Sequence, residues 1–279
     1  VTTAPADERD AGRSRPSPPG TLNPFAPGAA VIVVIPTFNE RENLPRLVPT
    51  LLALDPAYRV LVVDDNSPDG TGAAAETLRA EHPGRVSVLH RASKEGIGPA
   101  YVAGFQIALA ADAPLIAQMD ADLSHDPATL PAMVAAAAAH DLVLGSRYVP
   151  GGRTVGWPRG RLLLSRLGGL YARWVLGVPI ADPTGGYKVF RRDALAGLHL
   201  DRIQTDGYSF QIETTWRALR NGCRVVEVPI TFTDRVAGAS KLSRAIVIEA
   251  AWTVWRLRLE DFWAGRHQAT ADPPNPESG

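Results

Sequence analysis

Near the middle of the chain an apolar run, Leu115 to Met119, leads directly into Asp120-Ala121-Asp122. Alternate residues of an extended segment point to one side, so the two acids would direct both charges at the same spot. Carboxylate oxygens in that arrangement suit a hard divalent cation such as Mg2+ or Mn2+. Such an ion binds through one or two acids and completes its shell with substrate phosphates. His125 is a further candidate ligand, although His125-Asp126-Pro127 also reads as a helix start, with Asp126 as cap and Pro127 at the first helical position.

A second acidic group, Asp64-Asp65-Asn66-Ser67-Pro68-Asp69-Gly70, closes another apolar run. Residues 66–70 are turn formers. Asp64 and Asp65 gain nothing in turn geometry from standing together, and they suit accepting hydrogen bonds from a base edge or from ribose hydroxyls. A metal bridging two phosphates leaves negative charge to balance, and Arg147, Arg161, Arg235 and Lys241 are the candidate cations. Arg235 and Lys241 bound a glycine-containing stretch, so a guanidinium fork and an ammonium would close over a diphosphate from its two ends.

Residues of this kind need a scaffold that brings them to one edge. Strands are predicted at Val31–Ile35, Arg59–Val63, Val86–Leu89, Leu115–Met119, Asp141–Leu144 and Val225–Phe232 from short β-branched or apolar runs. Helices are predicted at Arg41–Leu54, with apolar residues at 44, 47, 48, 51 and 52, and at Ala73–Glu81, Pro99–Ala111 and Ala128–Ala139. Alternation of this kind implies βαβ units, an α/β fold with a mainly parallel sheet covered on both faces. Ligands of such sheets bind beyond the carboxyl ends of the strands. Pro36–Glu40, Asp64–Gly70, Asp120–Asp122 and Gly145–Tyr148 all fall there.

With 279 residues, 45% of them hydrophobic, the chain can bury a large core. Its 29 basic and 29 acidic residues cancel, which argues against nucleic acid as a partner held by bulk charge. One cysteine, Cys223, excludes an internal disulfide and a cysteine-rich zinc site. Composition divides the chain into a disordered extension over 1–28, a catalytic domain over 29–245, an amphipathic helix over 246–264 and a disordered tail over 265–279. No signal peptide and no apolar run of about 20 residues is present, so a cytoplasmic protein is expected. Two stripes qualify that expectation: Leu163, Leu167, Leu170 and Trp174, then Ile248, Trp252, Trp255 and Leu259. Either could pack on the core or rest at a membrane surface beside its arginines.

In order, PTFNERENL, VVDDNSPDGTG, MDADLSHDP, GSRYVPGG, DPTGGYKVFRR and EVPITFTDRVAGASK make the chain resemble the polyprenol-phosphate (dolichol-phosphate) mannose synthases of glycosyltransferase family 2, from about residue 30 to about 245. The resemblance implies a GT-A fold, GDP-mannose as donor, a polyprenyl phosphate lipid as acceptor, Mg2+ or Mn2+ as cofactor, and inversion at the anomeric carbon. It implies nucleotide contacts from Pro36, Phe38, Glu40, Val63, Asp64 and Asp65, and diphosphate and metal contacts from Asp120, Ala121 and Asp122. Arg147 and Arg161 would hold the acceptor phosphate, and Arg235 and Lys241 the donor. Phe38 stands where a Tyr is common, Ser124 where some relatives carry a metal-holding Gln, and Gln211 at a donor-contacting position that is often basic. A peripheral enzyme at the cytoplasmic face follows, with an integral-membrane partner protein conceivable because many relatives carry spans. The rival readings are a UDP-glucose-dependent glucosyltransferase on the same lipid and a nucleotide-sugar sensor without turnover.

Overall fold

The computed structural model describes residues 25–234 and 250–260. The order is β1 (Val31–Thr37), α1 (Leu44–Leu54), β2 (Tyr58–Asp64), α2 (Thr71–Glu81), β3 (Val86–His90), α3 (Ile97–Ala110), β4 (Leu115–Gln118), α4 (Leu130–Ala136), β5 (Leu142–Ser146), β6 (Arg153–Val155), α5 (Arg159–Leu176), β7 (Lys188–Arg191), α6 (Arg192–Ala196), α7 (Gly207–Arg220), β8 (Val225–Pro229) and β9 (Thr231–Thr233). A further helical segment covers 250–260.

Seven strands form one sheet in the order β3-β2-β1-β4-β7-β5-β8, and β6 pairs with β9 in a small second sheet. Every residue of β1 and β2 is buried, as continuous apolar strands inside a covered parallel sheet must be. Their side chains alternate between two cores. Val31, Val33 and Ile35 join α1, α2 and α4 through Leu47, Leu51, Leu78 and Met133. Ile32 and Val34 face α3, α6 and α7 through Tyr101, Phe105, Leu195 and Phe210. At Gly104 of α3 an added Cβ would stand 2.4 Å from Val34 Cγ1, so this helix lies against the sheet only because the residue is glycine.

Several expectations change in detail. Phe25, assigned to a disordered extension, is buried in the second core, and Ala26 N–H donates to Gly84 O at 3.0 Å. The third helix starts at Ile97, which puts Pro99 in the first turn rather than at its first position. There a missing N–H still costs nothing, because the first turn's donors have no intrahelical acceptor. Asp126 does cap, accepting from Ala128 N–H at 2.9 Å, but onto a single 3-10 turn that precedes α4. The predicted strand 225–232 breaks at Ile230, where the chain leaves the large sheet for the small one. β7, unforeseen, runs antiparallel between β4 and β5.

A third cluster lies apart from the sheet. Ala172, Val175 and Leu176 of α5 meet Ile212 and Trp216 of α7 and Val254 and Leu257 of the 250–260 segment. The opposite stripe of α5 faces outward: Leu163, Leu167 and Leu170 are exposed and Trp174 is 80% exposed. Trp252, Trp255 and Leu259 are exposed as well. Among the described residues every exposed large apolar side chain except Val155 belongs to these two helices. None of the described helices is long and apolar enough to cross a membrane.

Candidate active site

The carboxyl ends of β1, β2, β4 and β5 and the start of α7 enclose a cavity of about 1020 Å3. Asp120 and Asp122 both line it. The chain turns sharply after them, with Leu123 in the left-handed region at φ 60°. That turn brings Ser124 back onto Asp122: its N–H donates to Oδ1 at 3.0 Å, and its hydroxyl donates to the same oxygen. Tyr101 donates its phenol proton to Asp120 Oδ1 at 2.9 Å, and Asp120 N–H donates to His125 Nδ1 at 3.3 Å. His125 is buried and stacks on Tyr187, and burial holds its pKa below the usual histidine value. Among the described residues no three acids, histidines or cysteines converge as a metal cage. Two carboxylates on a cavity, both hard oxygen donors, fit Mg2+ or Mn2+, which takes its remaining ligands from phosphate and water.

On the β1 and β2 side the loops are knitted to each other. Asn39 N–H donates to Ser67 Oγ at 3.1 Å and Glu40 N–H to Thr71 Oγ1 at 2.9 Å. Lys94 Nζ sits 3.5 Å from the centre of the Phe38 ring, a cation over an aromatic face. Asp65 pairs with Arg91, and its Oδ2 accepts from Glu95 N–H at 3.3 Å. Asp64 accepts from Ser67 Oγ at 2.6 Å.

The opposite wall is basic but compensated. Arg147 is buried, with Nε 2.7 Å from Asp182 Oδ2 and one Nη 2.6 Å from Oδ1, and it also reaches Thr184 Oγ1 at 2.8 Å. Burial works against its charge, and Asp182 outweighs burial, so its pKa lies above the usual value. Arg161 pairs with Asp234 at 2.7 Å and lies 4.2 Å from the Trp157 ring. Arg161 Nε and Trp157 Nε1 are buried donors with no hydrogen-bond partner among the described residues. Behind the lining, Gln118 donates its amide to Gln211 Oε1 at 2.6 Å. Beneath it Lys188 Nζ donates to Gln211 O at 2.8 Å and Thr214 Oγ1 at 2.7 Å, and full burial pushes its pKa well down.

Of the residues expected at the site, Pro36, Phe38, Glu40, Asp65, Asp120, Ala121, Asp122, Arg147, Arg161 and Gln211 line this one cavity, and His125 joins them. Val63, Asp64 and Ser124 are not among its lining residues. Val63 is a core residue against α3, Asp64 is engaged by its own turn, and the Ser124 hydroxyl holds Asp122. Arg235 and Lys241 lie outside the described residues. Sequence reasoning missed Tyr101, Asp182, Thr184, Gly186, Trp157 and Lys94. The run DPTGGYK carried a signal for three of them, since two glycines after Asp-Pro mark backbone that must pass close to something.

Residues 32–198 match the model of glycosyl transferase family 2. The chain is 48% identical over 243 residues to the polyprenol monophosphomannose synthase of Mycolicibacterium smegmatis, covering 86% of this chain and 91% of that protein. It is also 48% identical over 235 residues to the undecaprenyl-phosphate mannosyltransferase of Micrococcus luteus, covering 84% and 96%. Identity to the dolichol-phosphate mannosyltransferase of Pyrococcus furiosus is 36% over 234 residues, covering 81% of this chain and 63% of the relative. A glucosyl-3-phosphoglycerate synthase from Mycobacterium tuberculosis, solved with Mn2+, uridine diphosphate and phosphoglyceric acid, has the same fold. The TM-score is 0.61, with 20% identity and coverage of 83% of this chain and 79% of that one. The architecture is GT-A. With more than half of its length inside the family match and relatives of this similarity along most of the remainder, the chain belongs to glycosyltransferase family 2.

Proposed function

We propose that the enzyme moves mannose from GDP-mannose to a polyprenyl phosphate lipid, giving polyprenyl phosphate β-mannose. The observation that carries this reading is 48% identity, over most of the chain, to two mannosyltransferases named for polyprenyl phosphates. In the reaction an acceptor phosphate oxygen attacks C1 of the sugar from the face opposite the diphosphate. The bond from C1 to the diphosphate oxygen breaks, and GDP leaves. The acceptor is already an anion near neutral pH, so no strong general base is needed. Phe38 offers an apolar face to the base, with Asp65 and Arg91 beside it. Asp120 and Asp122 would hold Mg2+ or Mn2+ against the diphosphate, and the ion would neutralise charge growing on the leaving group. Arg235 and Lys241 are proposed to add to that stabilisation. On the opposite wall Arg147 and Arg161 orient the acceptor phosphate. The donors Arg161 Nε and Trp157 Nε1, which have no partner among the described residues, support an anion there, because a buried donor left without an acceptor costs about 1–3 kcal/mol.

The lipid's source is proposed to be the cytoplasmic face of a membrane, with the enzyme peripheral to it. Support comes from the leucine and tryptophan stripes of α5 and 250–260, the first of which carries Arg159, Arg166 and Arg173 alongside. Apolar side chains can enter the interface while arginines meet lipid phosphates. Arg161, at the first turn of α5, belongs to both the stripe's helix and the cavity wall.

Labelled GDP-mannose, a short-chain polyprenyl phosphate and Mg2+ or Mn2+ should yield organic-extractable label, and UDP-glucose should not. Extractable label from UDP-glucose alone would overturn the donor, and none from either donor with nucleotide binding intact would leave a sensor. Sedimentation with anionic liposomes should fall when Leu163, Leu167 and Trp174 are changed to Ser together. Unchanged sedimentation would remove the membrane surface from the reading and direct attention to an integral-membrane partner.

A further inference from the structure

We infer that Tyr101 is a positioning residue for Asp120, fixing which carboxylate oxygen is presented to the divalent ion. The inference rests on the proposed metal role of Asp120 and adds a residue, on a different helix, that prepares it.

Tyr101 is fully buried in α3. Its ring lies parallel to Phe210 of α7, with centroids 5.7 Å apart and planes 3° apart, and Phe105 stacks on it at 5.6 Å. Gly98, one turn earlier, donates its N–H to Asp206 Oδ1 at 2.7 Å and so ties the starts of α3 and α7 together. A Cβ there would stand 2.3 Å from Thr205 O. The phenol is therefore held by two helices and directed at Asp120 Oδ1, 2.9 Å away, with the Gln118 side chain also beside it.

With Oδ1 taken, Asp120 presents Oδ2 to the space above Gly186. An added Cβ on that glycine would lie 3.4 Å from Asp120 Oδ2, 3.6 Å from Gln211 Nε2 and 3.6 Å from His125 Cε1, inside the cavity lining. A carboxylate free to rotate can offer either oxygen or both. One hydrogen bond from a rigid phenol removes that freedom before any ligand arrives, and partners of metal-binding groups typically contribute about 10–100-fold in metal affinity or activity.

The test titrates Mn2+ into the full chain with GDP present, reading free Mn2+ by electron paramagnetic resonance. Tyr101→Phe keeps the stack and removes the hydroxyl, and its Mn2+ dissociation constant should rise about tenfold or more, with little change in melting temperature. Phe105→Leu trims a neighbouring core ring but leaves the parallel Phe210 contact and the hydroxyl in place, and should bind Mn2+ like wild type. Wild-type protein that binds Mn2+ while Tyr101→Phe binds equally well overturns the inference, as does an equal loss in Phe105→Leu. Wild-type protein that binds no Mn2+ with GDP overturns the metal reading itself. A measurement independent of the variant's folding uses wild-type protein. Mn2+ added with GDP should produce a tyrosine near-ultraviolet difference band that Asp120→Asn lacks, and absence of the band in wild type overturns the inference.

Discussion

Two acidic pairs stand on the same rim and do different work. Asp64 and Asp65 are neighbours, so the extended chain turns them to opposite sides, and each is claimed: Asp64 by Ser67, Asp65 by Arg91 and the Glu95 N–H. Only Asp65 lines the cavity. Asp120 and Asp122 are separated by Ala121, and both line it. Each has an oxygen that accepts from a hydroxyl, of Tyr101 or of Ser124. The contrast is chemical. Asp65 meets a countercharge in Arg91, within its own loops, whereas the contacts at Asp120 and Asp122 from Tyr101 and Ser124 orient a carboxylate without altering its charge.

Substitutions can break or sharpen that contrast. The largest effect is expected for Asp122→Ala or Asp120→Ala, which should lower transfer by roughly 10²–10³-fold or more while the melting temperature stays close to wild type. Wild-type turnover in a steady-state assay would end the distinction. Asp65→Ala removes one of the two acids that pair with Arg91, Glu95 being the other, and should raise the KM for the donor about tenfold, about 1.4 kcal/mol, with a smaller change in kcat. Equal losses in kcat and acceptor KM would place Asp65 with the second pair instead. Asp64→Asn should cost about 1 kcal/mol in urea unfolding, by weakening its turn, and leave donor KM within about twofold. The smallest effect belongs to Asp141→Asn, an acid outside the cavity paired with solvent-exposed Arg224. Hydrogen bonds from Arg224 hold the Asp141 pKa at about 2, below the usual 3.8. Its contribution is thus present above pH 3.8 and is lost as pH falls toward 2. The variant should therefore be slightly less stable than wild type at neutral pH and converge on it as pH falls toward 2, which flattens its acid limb in that window. A difference that persisted undiminished at the acid end would contradict the pairing.

How much of this could be read beforehand depended on range. β1 and β2 were legible because unbroken β-branched runs have no other stable place than a covered parallel sheet. The helix α1 was legible at residues 44, 47, 48, 51 and 52, all of which are buried. Asp120 and Asp122 were legible because two acids directly after an apolar run are a local pattern, although they stand past the end of β4, where the chain bends, rather than on the strand itself. β7 was not, since four residues with Lys188 among them carry no strand pattern, and the lysine's burial depends on acceptors in α7. Tyr101 finds Asp120 nineteen positions away, and Arg147 finds Asp182 thirty-five positions away. Both matches exist only after the sheet has formed. Asp64 misled for the converse reason: adjacency to Asp65 looked like shared purpose, and the strand's own alternation separates them.

One strand running backward has a consequence for how this site can change. Its parallel neighbours deliver the loops that follow them, so each reaches the ligand on the way out of the sheet. β7 delivers the loop that precedes it, and Asp182, Thr184 and Gly186 arrive on the way in. That inbound segment grips Arg147 with one residue and lies beside Asp120 with another, touching the proposed acceptor and donor halves within five positions. An insertion there would disturb both substrates at once, whereas an insertion after β2 would disturb one.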